Sequence, residues 1–193
     1  MTGAIILAAG KSSRMGAFKP MLSLGQESVS RRIVRTLKAG GADIVLVVTG
    51  RQAQELGDHL SDLDVCFVHN AAYETSQMLD SVKLGLSELA QTCDRILITP
   101  VDAPLFSAQT VKRLGAQQRE IVIPVCAGVD GHPVCIGQDA ARQILSYEGE
   151  GGLRGAMQHA GFDILRLQVS DEGVLGDMDT PEDYRAMLEK LAQ

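Results

Sequence analysis

The sequence predicts an α/β fold: a mixed, mostly parallel sheet sandwiched by helices. Three observations carry that expectation. Short runs of Val, Ile and Leu without polar alternation read as strands buried on both faces. Amphipathic stretches separate those runs, which is the pattern of parallel crossovers. Glycine, proline and capping residues punctuate the boundaries.

Taken in order, the run at 3–8 is the first strand and stops at Gly10. The helix at 28–39 ends at Gly40-Gly41, a C-terminal stop. Strand 43–49, helix 51–60 and strand 64–69 follow, then helix 77–90 and strand 95–99. Helix 107–117 leads into strand 120–125. The segment Ala127-Gly128-Val129-Asp130-Gly131 then turns the chain into 132–137, so these last two runs form a hairpin and make the sheet mixed. After the helix at 138–146, the stretch 149–152 reads as a loop within the domain. The last helix, 181–191, opens with Thr180 as cap, Pro181 at the first helical position and Glu182 and Asp183 in the first turn. No repeat, low-complexity segment or linker divides the chain, so residues 1–193 are read as a single domain.

The loop after the first strand carries the strongest chemical signal. Gly10 permits a tight turn, and the stretch to Lys19 holds Lys11, Arg14 and Lys19 with no acid. Successive amides in such a turn converge into a concavity that binds an anion. Two better-known phosphate loops do not fit. A P-loop places four residues between its glycines and follows the second with Lys-Ser/Thr, whereas five residues separate Gly10 from Gly16 and Ala17 follows. A dinucleotide fingerprint fails at once, because Gly10 is followed by Lys11-Ser12.

Composition bounds the partners. Net charge is −6 with no Trp and 4% aromatic residues, which argues against nucleic acid. Yet residues 1–42 hold seven of the 18 basic residues and only one of the 24 acids, Glu27. That asymmetry suits a small anionic ligand held at one site. Arg31, Arg32, Arg35 and Lys38 are read instead as the solvated face of a helix. Cys66, Cys93, Cys126 and Cys135 form no close pair and mostly sit in apolar runs, so they read as buried free thiols of a cytoplasmic protein. No apolar run is long enough to span a membrane.

Two carboxylate segments complete the pattern. Asp102 lies between Pro100 and Pro104 just past a strand end, where α/β sheets bind ligands. A fixed carboxylate near phosphates is what Mg²⁺ requires, since it takes one or two carboxylates plus phosphate oxygens and water. In an extended Asp177-Met178-Asp179, the two acids point one way and the methionine the other. Asp177 is preferred as the second metal ligand, because Asp179 can also serve the start of the last helix.

Three segments together resemble the molybdenum-cofactor nucleotidyltransferases, the MobA/MocA-like family. They are Leu7-Ala8-Ala9-Gly10 through Arg14-Met15-Gly16 to Lys19, then Pro100-Val101-Asp102-Ala103-Pro104, then Asp177-Met178-Asp179-Thr180-Pro181. Asn70-Ala71-Ala72-Tyr73 with Met78 and Ser81, and Gly131-His132-Pro133, match as well. The four residues between Arg14 and Lys19 are similar to the Mo-cofactor branch rather than to sugar-phosphate enzymes. Leu7-Ala8-Ala9-Gly10 is similar to its cytidylyltransferases. Ser76-Gln77 before Met78, and Val101 and Ala103 around Asp102, depart from the commonest forms.

The resemblance implies a Rossmann-like, GT-A-like nucleotidyltransferase fold. It implies that NMP passes from an NTP, CTP more than GTP, to the phosphate of molybdopterin with release of pyrophosphate. The Cβ of Ala9 narrows the base floor in favour of a pyrimidine. Arg14, Lys19 and Asp102 are assigned to catalysis, and Leu7, Ala8, Ala9, Gly10, Lys11, Ser12, Asn70 and Ser81 to the nucleotide. Mg²⁺ is assigned to Asp102 and Asp177, and a molybdoenzyme or its maturation chaperone is the implied protein partner. No nucleophilic side chain is called for; positioning and charge neutralisation suffice. Two other readings stay open: a nucleotidyltransferase acting on a sugar phosphate or other phosphorylated acceptor, and a nucleotide-sensing or cofactor-carrying module without turnover.

Overall fold

The computed structural model describes residues 1–10 and 15–191. Strand β1 (Thr2–Ala8) runs up the centre of the sheet. A short antiparallel pair, β2 (Ser23–Leu24) and β3 (Glu27–Ser28), precedes helix α1 (Val29–Ala39). Then come β4 (Ile44–Thr49), α2 (Ala53–His59), β5 (Cys66–His69), α3 (Met78–Leu89), β6 (Arg95–Pro100) and α4 (Ala108–Gly115). The chain closes with β7 (Ile121–Cys126), β8 (Val129–Asp130), β9 (Val134–Gly137), α5 (Gln138–Ser146), α6 (Gly152–His159), β10 (Ile164–Gln168) and α7 (Pro181–Leu191).

The main sheet has the order β10-β7-β9-β6-β1-β4-β5, with β8 paired to β7. β1 lies between β4 and β6 and is parallel to both. Only β9 and β8 run against their neighbours. The sheet is mixed and mostly parallel, as the uninterrupted apolar runs require.

The alternation of β1 shows why those runs must be apolar throughout. Ala4, Ile6 and Ala8 face one core layer with Ile33, Leu37, Val111 and Leu114. Ile5, Leu7 and Ala9 face the other, with Val82, Leu86, Ala140 and Ile144. Each residue therefore meets a helical layer, whichever way its side chain points.

Local chemistry sets the ends. At the C-terminus of α1, Ala42 N–H donates to Leu37 O and Gly41 N–H to Lys38 O, each at 3.0 Å, with Gly41 at φ +99°. That is the left-handed helix stop for which glycine is suited. Ser28 and Ser107 cap α1 and α4 through their side-chain oxygens. At α7, Thr180 Oγ1 accepts from Asp183 N–H while Asp183 Oδ2 accepts from Thr180 N–H. The two ends of that first turn thus satisfy each other's amides.

Differences from expectation have physical causes. The 149–152 stretch is not a closed loop: Gly151 and Gly152, both at positive φ, lead directly into α6. β10 escapes detection because Arg166 and Gln168 interrupt its short apolar run; it is an edge strand with polar positions exposed. The 120–137 hairpin closes on the small strand β8 through Ala127 and Gly128, both at positive φ, before the chain returns as β9. Cys93, Cys126 and Cys135 are buried free thiols, but Cys66 is exposed, because β5 is the other edge strand. On α1, Arg31 grips Asp62, Lys38 pairs with Asp64 and Arg35 with Glu27, but of the four residues read as a solvated face only Arg35 is fully exposed, and Arg32 Nε is buried without a partner among the described residues.

Candidate active site

A cleft of about 260 Å³ opens where β1 and β6 end. Its floor is Leu7, Ala8, Ala9 and Gly10, one wall is Pro100, Val101 and Asp102, and the other runs from Tyr73 through Ser76, Gln77 and Met78 to Ser81. Lys19 and Pro20 close one side. This is the position at which parallel sheets bind ligands, because the strand ends present loops and backbone groups with no further pairing partners.

Lys19 is 7% exposed, an unusual degree of burial for a lysine. Its Nζ lies 3.0 Å from Asp179 Oδ1 and 3.3 Å from Asp102 Oδ2. Two carboxylates thus compensate the buried ammonium. The backbone brings them together. Val101 N–H donates to Leu7 O at 3.1 Å, extending the β1–β6 pairing past the strand end, and Ala103 N–H donates to Pro100 O. Met178 N–H then donates to Asp102 O at 2.9 Å. Met178 itself is fully buried. With that residue anchored, Asp179 meets Lys19, and Asp177 lies within electrostatic reach of Asp102, Asp179 and Lys19.

The electrostatics of Asp177 follow from this crowding. Partial burial raises its carboxyl above the ordinary value, and the charges of Asp102 and Asp179 push the same way, opposed by His132 and Lys19. Burial lowers the His132 imidazole, against the pull of Asp177 and Asp102. His132 Nδ1 has no hydrogen-bond partner among the described residues. The His132 backbone N–H donates to Val174 O at 2.9 Å, which ties the β7–β9 turn to the segment bearing Asp177.

A divalent cation fits this chemistry. Asp177 carries a charge that Asp102 and Asp179 disfavour, and a cation would relieve that repulsion. Among the described residues, no group of three or more His, Cys, Asp or Glu side chains is placed to hold a metal ion by itself. A hard cation held by one or two carboxylates takes its remaining oxygens from phosphate and water.

The predicted site residues divide into four groups. Leu7, Ala8, Ala9, Gly10, Lys19, Ser81 and Asp102 line the cleft. Asn70 does not: it is 7% exposed and stands behind the wall, donating from Nδ2 to Ser76 Oγ at 2.9 Å and to Ser81 Oγ at 3.0 Å. Asp177 does not line the cleft either; it lines a second hollow with Leu105, Glu172 and Lys190. Lys11, Ser12 and Arg14 lie outside the described residues. Ser76, Gln77 and the exposed Met78 line the cleft without having been picked out as ligand contacts, and Asp179 meets Lys19 across 160 positions of sequence. The Asn70-to-Ser81 spacing was visible, but which of its members face the cleft depends on the turn between them.

Residues 4–164 match the MobA-like NTP transferase domain. Over 98% of this chain and 96% of the relative, the sequence is 25% identical to a molybdenum cofactor cytidylyltransferase of Escherichia coli (strain K12). It is 27% identical to a nicotine blue oxidoreductase of Paenarthrobacter nicotinovorans over 95% of each. The fold is similar to a manganese complex of Rv0371C from Mycobacterium tuberculosis H37Rv, with TM-score 0.76 and 21% identity over 97% of each chain. No helix among the described residues is long and apolar enough to cross a membrane. With its cleft at the end of β1 and a domain match across most of its length, the chain belongs to the MobA-like NTP transferase family, a family of nucleotidyltransferases.

Proposed function

We propose that this nucleotidyltransferase transfers CMP from CTP to the phosphate of molybdopterin, releasing pyrophosphate. The observation that carries the reading is the buried Lys19 held between Asp102 and Asp179 at the end of a cleft floored by β1. The likeness to a molybdenum cofactor cytidylyltransferase over nearly the whole of both chains supports the choice of base and acceptor.

Both reactants are anions, so the site must make their approach tolerable. Lys19 places a positive charge beside the α-phosphate, and its two carboxylate partners hold the ammonium in one position. Gly10, with the amides of Lys11 and Ser12, receives the β- and γ-phosphates, and Arg14 forks two phosphate oxygens. Ala8, Ala9 and Ser81 bound the base and ribose. Asp102 and Asp177 would hold Mg²⁺, which supplies polarisation of the transferred phosphate and neutralises the departing pyrophosphate. The manganese complex of a structural neighbour supports a divalent cation in this fold.

Pyrophosphate release with molybdopterin as acceptor tests the reading, with CTP and GTP compared in the presence and absence of Mg²⁺. Release only with GTP would reverse the base, and release only with a phosphorylated sugar would replace the acceptor. The similarity to a nicotine blue oxidoreductase favours a second reading, in which the cleft holds a redox substrate. Consumption of nicotine blue without nucleotidyl transfer would establish it. The pairing of Asp102 and Asp179 with one lysine, with Asp177 in electrostatic reach, suits phosphates and a divalent cation better.

A further inference from the structure

We propose that Asn70 sets the base preference of the cleft by fixing the direction of two hydroxyl protons. The inference rests on the nucleotide reading of the cleft. Asn70 Oδ1 accepts from Ala72 N–H at 3.0 Å. A backbone N–H can only donate, so this bond decides which end of the amide is oxygen. Nδ2 therefore faces the other way and spends its two protons on Ser76 Oγ and Ser81 Oγ.

Each serine oxygen accepts a proton from Asn70, and each O–H proton must then point elsewhere. Among the described residues neither hydroxyl has an acceptor for it, and both serines line the cleft. Ser81 is 5% exposed, so its unused donor is largely shielded from bulk water. A shielded donor without a partner costs free energy that a ligand acceptor recovers. The wall thus presents two donors rather than two groups free to rotate.

A base that satisfies them must carry two neighbouring acceptors. Cytosine does, at O2 and N3. Uracil carries N3–H between its carbonyls, and adenine sets one ring acceptor beside an amino donor. Guanine presents donors on its pairing edge and two acceptors only at N7 and O6. The donor pair thus disfavours uracil and adenine; of the two bases that carry neighbouring acceptors, we assign it to O2 and N3 of cytosine, on the likeness to a cytidylyltransferase. Asn70 is a positioning residue here and touches no ligand.

The test is the dissociation constant of Mg²⁺·CTP, Mg²⁺·UTP and Mg²⁺·GTP by calorimetry, in the wild type and in Asn70→Asp. The new carboxylate keeps an oxygen for Ala72 N–H, but its second oxygen can only accept. Both serines then donate to it and turn their lone pairs to the cleft. The wild type is expected to prefer CTP over UTP by about tenfold or more. In Asn70→Asp that ratio collapses to about one or inverts. A ratio that survives the substitution, equal binding of CTP and UTP by the wild type, or tighter binding of GTP overturns the proposal. Should Asn70→Asp lose its cooperative melt, Ser81→Ala replaces it: weakened CTP binding with unchanged UTP binding supports the donor assignment, and equal loss for both refutes it. If no nucleotide triphosphate binds at all, the transferase reading fails with it; tight CTP binding with an unmoved ratio removes the donor pair alone.

Discussion

Lys19 and Asp179 stand 160 positions apart in sequence, yet Nζ and Oδ1 are 3.0 Å apart. The contact closes the chain on itself at the cleft: Lys19 follows the loop after β1, and Asp179 precedes α7. Asp102, 3.3 Å from the same ammonium, adds the end of β6. Three separate segments thus share one charge.

Removing that charge should stop the reaction before it unfolds the protein. In Lys19→Ala, turnover measured by pyrophosphate release is expected to fall by about 10²–10³, the usual loss of one well-aimed charge donor. The core layers do not contain the residue, so a cooperative melt should persist. Wild-type rates in this variant would remove Lys19 from the mechanism.

Asp177 should trade stability for function. Its native pKa is raised, so its contribution favours the folded state below the ordinary carboxylate value near 4 and is lost as pH rises through the native value. Asp177→Asn is therefore expected to melt higher than wild type at pH 7, with the difference closing toward pH 4. Added Mg²⁺ should raise the melting temperature of the wild type more than that of the variant. The variant's turnover should drop by about 10². A variant that melts lower at pH 7 would contradict the electrostatic account.

Asp171 makes the opposite case. Burial pushes its carboxyl up, but hydrogen bonds from Thr110, Ser107 and Gly173 outweigh that effect and hold it below the ordinary value. Its Oδ2 accepts from Ser107 N–H at 2.8 Å and from Thr110 Oγ1 at 2.6 Å, fastening the start of α4. Asp171→Ala should cost about 2 kcal/mol at pH 7. For a chain of this length that lowers Tm by about 4–8 °C. The group's stabilisation is present above the ordinary carboxylate value and is lost as pH falls through the depressed native one, so the gap should close below about pH 4. Melting curves at pH 7 and pH 3 measure both.

Gly50 sets how closely the cleft wall approaches the floor. A Cβ there would lie 2.8 Å from Tyr73 Cβ and Cγ and 2.9 Å from the Ala9 carbonyl oxygen. Gly50→Ala must therefore displace Tyr73 or the end of β1, at a cost of about 1–3 kcal/mol. Because both line the cleft, KM for the nucleotide is expected to rise by about tenfold, the low end of that cost. An unchanged KM would show that the wall shifts without narrowing the cleft.

Much of the architecture was legible because apolar runs buried on both faces leave a plain signature. Ile5-Ile6-Leu7 has no polar position, since each face of β1 meets a helical layer. β10 was not legible: an edge strand needs only intermittent apolar residues, and Arg166 sits in its middle. Thr180 and Gly41 could be read as helix boundaries, since caps act within one turn and depend on little else.

The site divides along the same line. By itself the sequence determined the strand end that leads into Asp102 and the buried Met178 between two acids, because each depends on backbone rules spanning a few residues. Only the tertiary structure decided that Asp179 pairs with Lys19, that Asp177 lines a second hollow rather than the cleft, and that Asn70 stands behind the cleft wall. Those outcomes depend on which segments the parallel sheet brings to one edge and where each amide proton is spent, and a long-range hydrogen bond leaves no local pattern to read.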